Sequence, residues 1–249
     1  MKKTAHRLSI HFLSAQLLIL LVLCSCASTS SPRRQVEPPV EPIVYKVASY
    51  TKEKRLTLQS QYFLDIALGA EYSIGDFRIK KWVDNLKIEI VGQPTHADRA
   101  ELNNVISELN ELLDGKLSLE IVATGGNVEV LFIPHDRFYE YEPSGLVFTN
   151  GFFWNWWNYA GEIYRGRVVV ASDRLTQSHR NHLIREELTQ LLGLMNDSQK
   201  YPESIFFQGH TEINTYCDFD RQVIRMLYDT SLPAGTLDFE VREWVHSQN

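Results

Sequence analysis

Apolar residues recur at helical spacing in several segments of this 249-residue chain. One segment runs from about Leu56 to Ala70. A second begins near Thr95 or Asp98, either of which suits a helix N-cap, and ends at about Leu113. Two further helices are predicted later in the chain, at about 179–193 and 218–228.

Other segments carry the pattern of β-strands. Leu86–Ile90 alternates apolar and polar residues, which is typical of a half-buried strand. Arg167–Ala171 is almost continuously apolar, and two more strands are predicted at 117–122 and 127–133, around a Gly-Gly pair. Helices and strands therefore mix along the chain, and the pattern predicts an α+β domain.

An aromatic-rich segment separates the last predicted strand from those before it. Asn155, Asn158 and Gly161 within it favour loop geometry. Exposed rings would bind sugar faces or an extended peptide, whereas buried rings would close one side of the core. Both interpretations stay open, and Trp154, Trp156 and Trp157 are candidate binding residues. The aromatic residues are Phe152, Phe153, Trp154, Trp156, Trp157, Tyr159 and Tyr164.

The N-terminus has the pattern of an export signal. Lys2, Lys3 and Arg7 precede an apolar run at 17–23 that is too short to span a bilayer. The following Leu23-Cys24-Ser25-Cys26 resembles the bacterial lipobox, which predicts cleavage before Cys26 and a lipid anchor on its thiol. The alternative is an ordinary secretory signal with incidental cysteines.

The domain boundaries follow from this signal. We predict a signal peptide at 1–25, a Pro-rich membrane tether at 26–46 and one domain at 47–249. Ala27 after the cysteine resembles the sorting pattern of Gram-negative lipoproteins that reach the outer membrane. We therefore expect a lipid-anchored protein of the cell envelope, on the outer membrane and facing the periplasm.

Charge narrows the choice of partners. The chain has 25 basic and 31 acidic residues, and cleavage before Cys26 removes three basic residues and no acidic one, so 22 basic residues remain and the formal charge becomes −9. Such a domain is a poor partner for nucleic acid or anionic lipid headgroups. Cys217 is the only cysteine beyond the anchor, and we expect it to be a small buried apolar side chain.

The segment Arg185–Asp197, REELTQLLGLMND, is the most informative in the chain. It resembles the zinc-binding helix of the metzincin metallopeptidases, whose pattern is HExxHxLGLxH. Glu187 stands at the general-base position of that pattern. Glu186, Gln190 and Asn196 stand where its three histidines belong. The frame is therefore similar, whereas the metal ligands are replaced.

A polar stripe runs along the same helix. At about 100° per residue, His179, His182, Glu186 and Gln190 fall on one face, opposite an apolar face. The stripe is either a solvated surface or a site. Zinc prefers imidazole or thiolate, and the amide oxygens of Gln190 and Asn196 bind it poorly, so we expect no metal and no other cofactor.

The same segment, together with Ser204-Ile205-Phe206 and the 218–229 region, resembles a bacterial lipoprotein domain family of unknown function that is grouped with the zincin-like peptidases. The resemblance implies a zincin-like (metzincin-like) domain with a twisted mixed sheet backed by helices. We expect a non-catalytic module that binds a periplasmic protein, peptide or glycan. The alternative is a divergent metallopeptidase-like hydrolase with Glu187 as general base.

Overall fold

The computed structural model describes residues 51–68, 77–142, 149–209 and 211–248. The expected signal peptide, Cys26 and the tether lie outside these residues. Within them, no helix is both long enough and apolar enough to cross a membrane. The domain has a mixed sheet backed by helices, as expected, but the sheet is mostly parallel, so the structure is α/β and not the α+β domain that the pattern predicts.

A parallel sheet forms the centre of the domain. Strand β6 lies in its middle, with β4, β2 and β3 following in that order on one side, all parallel. The short β1 pairs with the first residues of β6, and β5 pairs with β6 in antiparallel register. The strands are β1 (Lys81–Trp82), β2 (Leu86–Gly92), β3 (Leu119–Val122), β4 (Val128–Ile133), β5 (Gly151–Trp157) and β6 (Glu162–Ala171).

Five α-helices surround the sheet, and the sequence predicts four of them. Thr95 caps α2 by a reciprocal pair of hydrogen bonds with Asp98, which accounts for the helix start. The short C-terminal α5 is the one that the sequence pattern does not predict. The helices are α1 (Lys52–Ala67), α2 (His96–Leu113), α3 (Gln177–Gln190), α4 (Asp218–Leu227) and α5 (Asp238–Ser247), and a 3₁₀ helix spans His135–Glu140.

The prediction of loop geometry for the aromatic segment was wrong. Gly151–Trp157 forms β5, because aromatic residues fit a pleated, half-buried surface better than a loop. Asn158 and Gly161 make the turn of the β5–β6 hairpin: Gly161 donates to the carbonyl of Asn158 over 3.0 Å and has φ +73°. These two turn-forming residues therefore mark only the tip of a hairpin.

The core lies mainly on one side of the sheet. Alternate residues of β4 and β6, including Val130 and Val168, pack with α2 and α3 into one large apolar cluster. Their neighbours Leu131 and Val169 point the other way and join a smaller cluster that includes Phe138 of the 3₁₀ helix. Helix α3 thus crosses beneath the sheet, close to the edge formed by β5.

Candidate functional site

Helix α3 positions the polar stripe. Its start is fixed by Thr176, whose hydroxyl accepts from the backbone N–H of His179 over 3.1 Å. Beyond its end, Gly193 adopts φ +117°, and a Cβ there would lie 2.0 Å from the carbonyl oxygen of Lys80. Only glycine permits this turn beside β1, and the turn sends the chain back toward the stripe.

A cleft of about 330 Å³ opens along this stripe. His179, His182 and Glu186 form its floor, and Asp197 lies at one side. The other walls come from the segment that leads into β5 and from the loops between α3 and α4. The remaining lining residues are Thr149, Asn150, Leu183, Phe207, Gln208, Gly209 and Thr211.

His182 and Glu186 form a pair in the floor of the cleft. His182 Nε2 lies 3.1 Å from Glu186 Oε2, and its Nδ1 lies 2.6 Å from the carbonyl oxygen of Ile213, so Nδ1–H donates to that carbonyl. Burial lowers the pKa of His182, but the Glu186 carboxylate, the Ile213 carbonyl and the charge of Glu212 outweigh it and leave the pKa raised.

The three positions at which the metzincin pattern has histidines, Glu186, Gln190 and Asn196, do not converge. Gln190 Nε2 donates to Asp197 Oδ1 over 2.6 Å, so Gln190 stays near the cleft. Asn196 turns away from it: Nδ2 donates to the carbonyls of Asp65 and Leu68 at the end of α1, over 3.0 and 2.9 Å. Asp197, one residue later, is the side chain that returns to the stripe.

Glu187 lies under β5 and not in the open cleft. Its side chain is buried, and a Cβ added to Gly151 would come within 3.0 Å of Glu187 Oε1. The glycine in β5 is therefore what allows Glu187 to lie so close to the strand. Glu187 is not among the residues that line the cleft.

A buried hydrogen-bond network that the sequence pattern does not predict joins three segments of the domain. Ser204, the first residue of the Ser-Ile-Phe segment, lies 2.8 Å from the Tyr62 hydroxyl and donates to Asp220 Oδ1 over 2.5 Å. Burial raises the pKa of Asp220 to about 6. The network ties α1, the 204–206 segment and α4 together. Its sequence signals are Ser204, in a segment that carries the family resemblance, and Asp220, an acidic residue in the first turn of a predicted helix.

Arg185 is a buried cation that links α3 to its neighbours. Its guanidinium donates to Glu108 and Glu101 on α2 and to Asn214 Oδ1, and it lies 4.6 Å from the ring centroid of Tyr216. The side chain is 2% exposed. Arg185 therefore joins α3 to α2 and to the 213–216 segment, which also carries the Ile213 carbonyl that binds His182.

Comparison with known proteins gives a family. Residues 58–247 match the profile described as "Protein of unknown function (DUF2927)". This chain belongs to the DUF2927 family. No curated protein matches it.

Solved structures give only remote likenesses to this DUF2927 domain. The crystal structure of myroilysin has 10% identity and a TM-score of 0.40, and the match covers 67% of this chain and 92% of that one. A second structure of myroilysin has 11% identity and a TM-score of 0.38, covering 61% and 83%. The family membership, and not these likenesses, is what the comparisons establish.

The three candidate tryptophans of the DUF2927 domain do not share one surface. Trp154 and Trp156 lie on the sheet face away from α3, opposite Arg167 and Arg165 in register, and the Arg165 guanidinium is 5.0 Å from the Trp156 ring centroid. Trp157 follows a bulge and packs against the main core. None of the three lines the cleft, and a binding role for them stays a prediction.

The donor set at the replaced positions does not fit zinc. Glu186 offers one carboxylate, whereas Gln190 and Asn196 offer amides that already donate to other oxygens. Among the residues that the structure describes, no group of three His, Cys, Asp or Glu side chains could hold a metal ion. Zinc sites need at least three well-placed nitrogen, sulfur or carboxylate ligands.

Rebuilding a zinc site should require Asp197 and not Asn196. The triple variant Glu186→His, Gln190→His, Asp197→His is expected to bind about one zinc per chain, because three imidazoles and water complete a tetrahedral site. The variant with Asn196→His in place of Asp197→His should bind far less, since residue 196 faces α1. Zinc content by mass spectrometry, with circular dichroism as the control for folding, tests this. Equal uptake by both variants would contradict the geometry.

The His182–Glu186 pair should give a pH-dependent stability. A raised pKa means that the stabilising contribution is complete below the unfolded pKa of about 6.5 and is lost as pH rises through the higher folded pKa. The difference in unfolding free energy between the wild type and His182→Gln should therefore be larger at about pH 6 than at about pH 8.5. Urea titrations at both pH values measure it; Asp220 titrates in both proteins and cancels. A constant or reversed difference would contradict the pairing.

Proposed function

We propose that this chain is an envelope lipoprotein whose zincin-like domain captures an extended peptide segment of a periplasmic protein without cleaving it. The segment adds to the free edge of β5 and projects side chains into the cleft above α3. The sequence leads us to expect a protein, a peptide or a glycan as the ligand, and of these we propose a peptide.

The edge of β5 that faces away from β6 lies beside the cleft and supports this proposal. The Ala171 N–H donates to the Asn150 carbonyl over 2.9 Å, and hydrogen-bonded pairs alternate along an antiparallel ladder. The backbone groups of Phe153 and Asn155 therefore point away from β6. In the described part of the chain, no other strand pairs with this side of β5. Such edges bind extended peptides by strand addition.

The position of Glu187 favours capture over hydrolysis. A general base must reach the proton that it abstracts, within hydrogen-bond distance or through one water. Glu187 is buried beneath Gly151 and does not line the cleft, whereas the open floor carries the His182–Glu186 pair. The divergent hydrolase is therefore the less favoured alternative, and recovery of shortened peptides would identify it.

The envelope location depends on Cys26. The variant Cys26→Ser is expected to leave the membrane fraction or to stay unprocessed, because the thiol that carries the acyl chains is gone. Fractionation of cells labelled with a radioactive fatty acid measures this, and Cys24→Ser is the matched control. A Cys26→Ser protein that is still processed, labelled and membrane-bound would overturn the anchor assignment.

Capture by strand addition is tested with two substitutions at one residue. The Phe153 N–H points away from β6, so Phe153→Pro removes a donor that a peptide would use and spares the β5–β6 ladder. Phe153→Ala removes the same ring but keeps the N–H. The full chain is incubated with a synthetic library of random dodecapeptides, and retained peptides are identified by mass spectrometry.

The wild type and Phe153→Ala should retain a common set of intact peptides, and Phe153→Pro should lose most of them. Circular dichroism must show that both variants are folded. Equal retention by the proline and alanine variants would exclude strand addition at β5. Failure of the folded wild type to retain any peptide would overturn the proposed function itself.

A further inference from the structure

Two carboxylates are among the described residues that line the cleft beside β5. Glu186 and Asp197 face it, and none of the described lining residues is Lys or Arg. The exposed Glu212 follows Thr211 at the rim and adds a charge that acts on His182. Carboxylates at the floor, the side and the rim would attract a positively charged occupant.

The arginines of α3 are turned away from this cleft. Arg180 Nε donates to Asp98 Oδ1 over 2.9 Å, and Arg185 is held by Glu101 and Glu108 on α2. Both guanidiniums are thus paired with carboxylates of another helix. Neither guanidinium can turn toward the cleft without breaking largely buried ion pairs, which is costly.

Glu186 keeps capacity for a further donor. Its side chain is 14% exposed, and a carboxylate offers about four acceptor sites. Its ion pair with His182, at 3.1 Å, occupies one of its two oxygens. His182 approaches the Glu186 carboxylate from one side, and a ligand cation would pair with the same carboxylate from the open side.

We infer that the peptide captured at β5 is selected for a Lys or Arg side chain, which enters the cleft and pairs with Glu186 and Asp197. This inference rests on the proposed peptide capture and names the class of peptide. A cleft of about 330 Å³ is large enough for one long basic side chain and bound water. The strand edge forms backbone hydrogen bonds, which do not distinguish one peptide sequence from another. The side chain that enters the cleft therefore determines which peptides bind.

Three decapeptides with the same Ser, Thr and Val frame and a central Lys-Lys, Gln-Gln or Glu-Glu pair test the inference. Fluorescence anisotropy with the full chain gives their dissociation constants. The Lys peptide should bind about tenfold more tightly than the Gln peptide, and the Glu peptide more weakly than both. Raising the salt concentration from about 50 to 500 mM should reduce the advantage of the Lys peptide, because salt screens charge pairs.

The double variant Glu186→Gln, Asp197→Asn should bind the Lys and Gln peptides equally. Glu120→Gln, which removes an exposed carboxylate on β3, is the control and should keep the preference. If the double variant fails to fold, the salt dependence of the wild type still decides. Equal binding of the three peptides by the wild type would overturn the charge selection but leave peptide capture standing. No binding of any peptide would overturn the capture.

Discussion

Replacing Arg185 with Met is expected to lower the free energy of unfolding by about 3–5 kcal/mol. The substitution keeps an apolar chain of similar length but leaves the carboxylates of Glu101 and Glu108 without their shared cation, and Glu101 is buried. It also removes the bond to Asn214, the neighbour of Ile213, whose carbonyl accepts from His182. Urea denaturation followed by tryptophan fluorescence measures the loss.

The control is an exposed arginine with similar partner chemistry. Arg137 pairs with Glu140 over 2.7 Å at the surface, where solvent screens the charges, and Arg137→Met should leave the free energy of unfolding nearly unchanged. Adding Glu101→Gln and Glu108→Gln to Arg185→Met should recover part of the loss, because the uncompensated charges are removed. Equal costs for Arg185→Met and Arg137→Met would show that the buried network does not join α2 and α3.

Replacing Gly193 with Ala is expected to cost about 3 kcal/mol or more. Two effects combine: φ +117° is strained for any L side chain, and the new Cβ would lie 2.0 Å from the carbonyl oxygen of Lys80. Backbone atoms at the end of α3 or beside β1 would have to move. The turn that returns Asp197 to the cleft would shift with them, so thermal unfolding and peptide binding should both change.

Gly115 gives a matched comparison. It also has a positive φ, +74°, but a Cβ there would meet nothing within 4 Å. Gly115→Ala should therefore cost only about 1 kcal/mol, from backbone strain alone. The difference between the two variants isolates the contact with Lys80. Similar losses at both glycines would show that this contact does not constrain the end of α3.

Much of the fold could be predicted from local sequence patterns. The start of α2 and the alternating strand at Leu86–Ile90 depend on residues close together in the chain, and the structure confirms both. Of the two candidate caps, Thr95 is the N-cap and Asp98 is its hydrogen-bond partner in the first turn. The edge strand β5 could not be recognised in the same way. Its Asn155 resembles a loop signal, but the side-chain amide donates to the Leu191 carbonyl and is buried beneath the sheet.

The candidate site could be predicted only as a helix face. The stripe of His179, His182 and Glu186 follows from helical geometry, and the structure places it in a cleft. Helical geometry does not determine the path of the chain after the helix ends. There the side chain of Asn196 bonds to α1, whereas the side chain of the next residue, Asp197, lines the cleft. Long-range contacts leave no local pattern in the sequence. An example is the hydrogen bond between the buried hydroxyls of Ser204 and Tyr62, which are 142 residues apart.

Residue-resolved hydrogen exchange on the full chain, with and without a peptide retained by it, tests peptide capture at β5 most directly. Strand addition should slow exchange at the amides of Phe153 and Asn155, which point away from β6, and leave β3 at the opposite edge of the sheet unchanged. The peptide should be recovered intact. Unchanged exchange in β5 with the peptide bound elsewhere, or recovery of a cleaved peptide, would contradict the account.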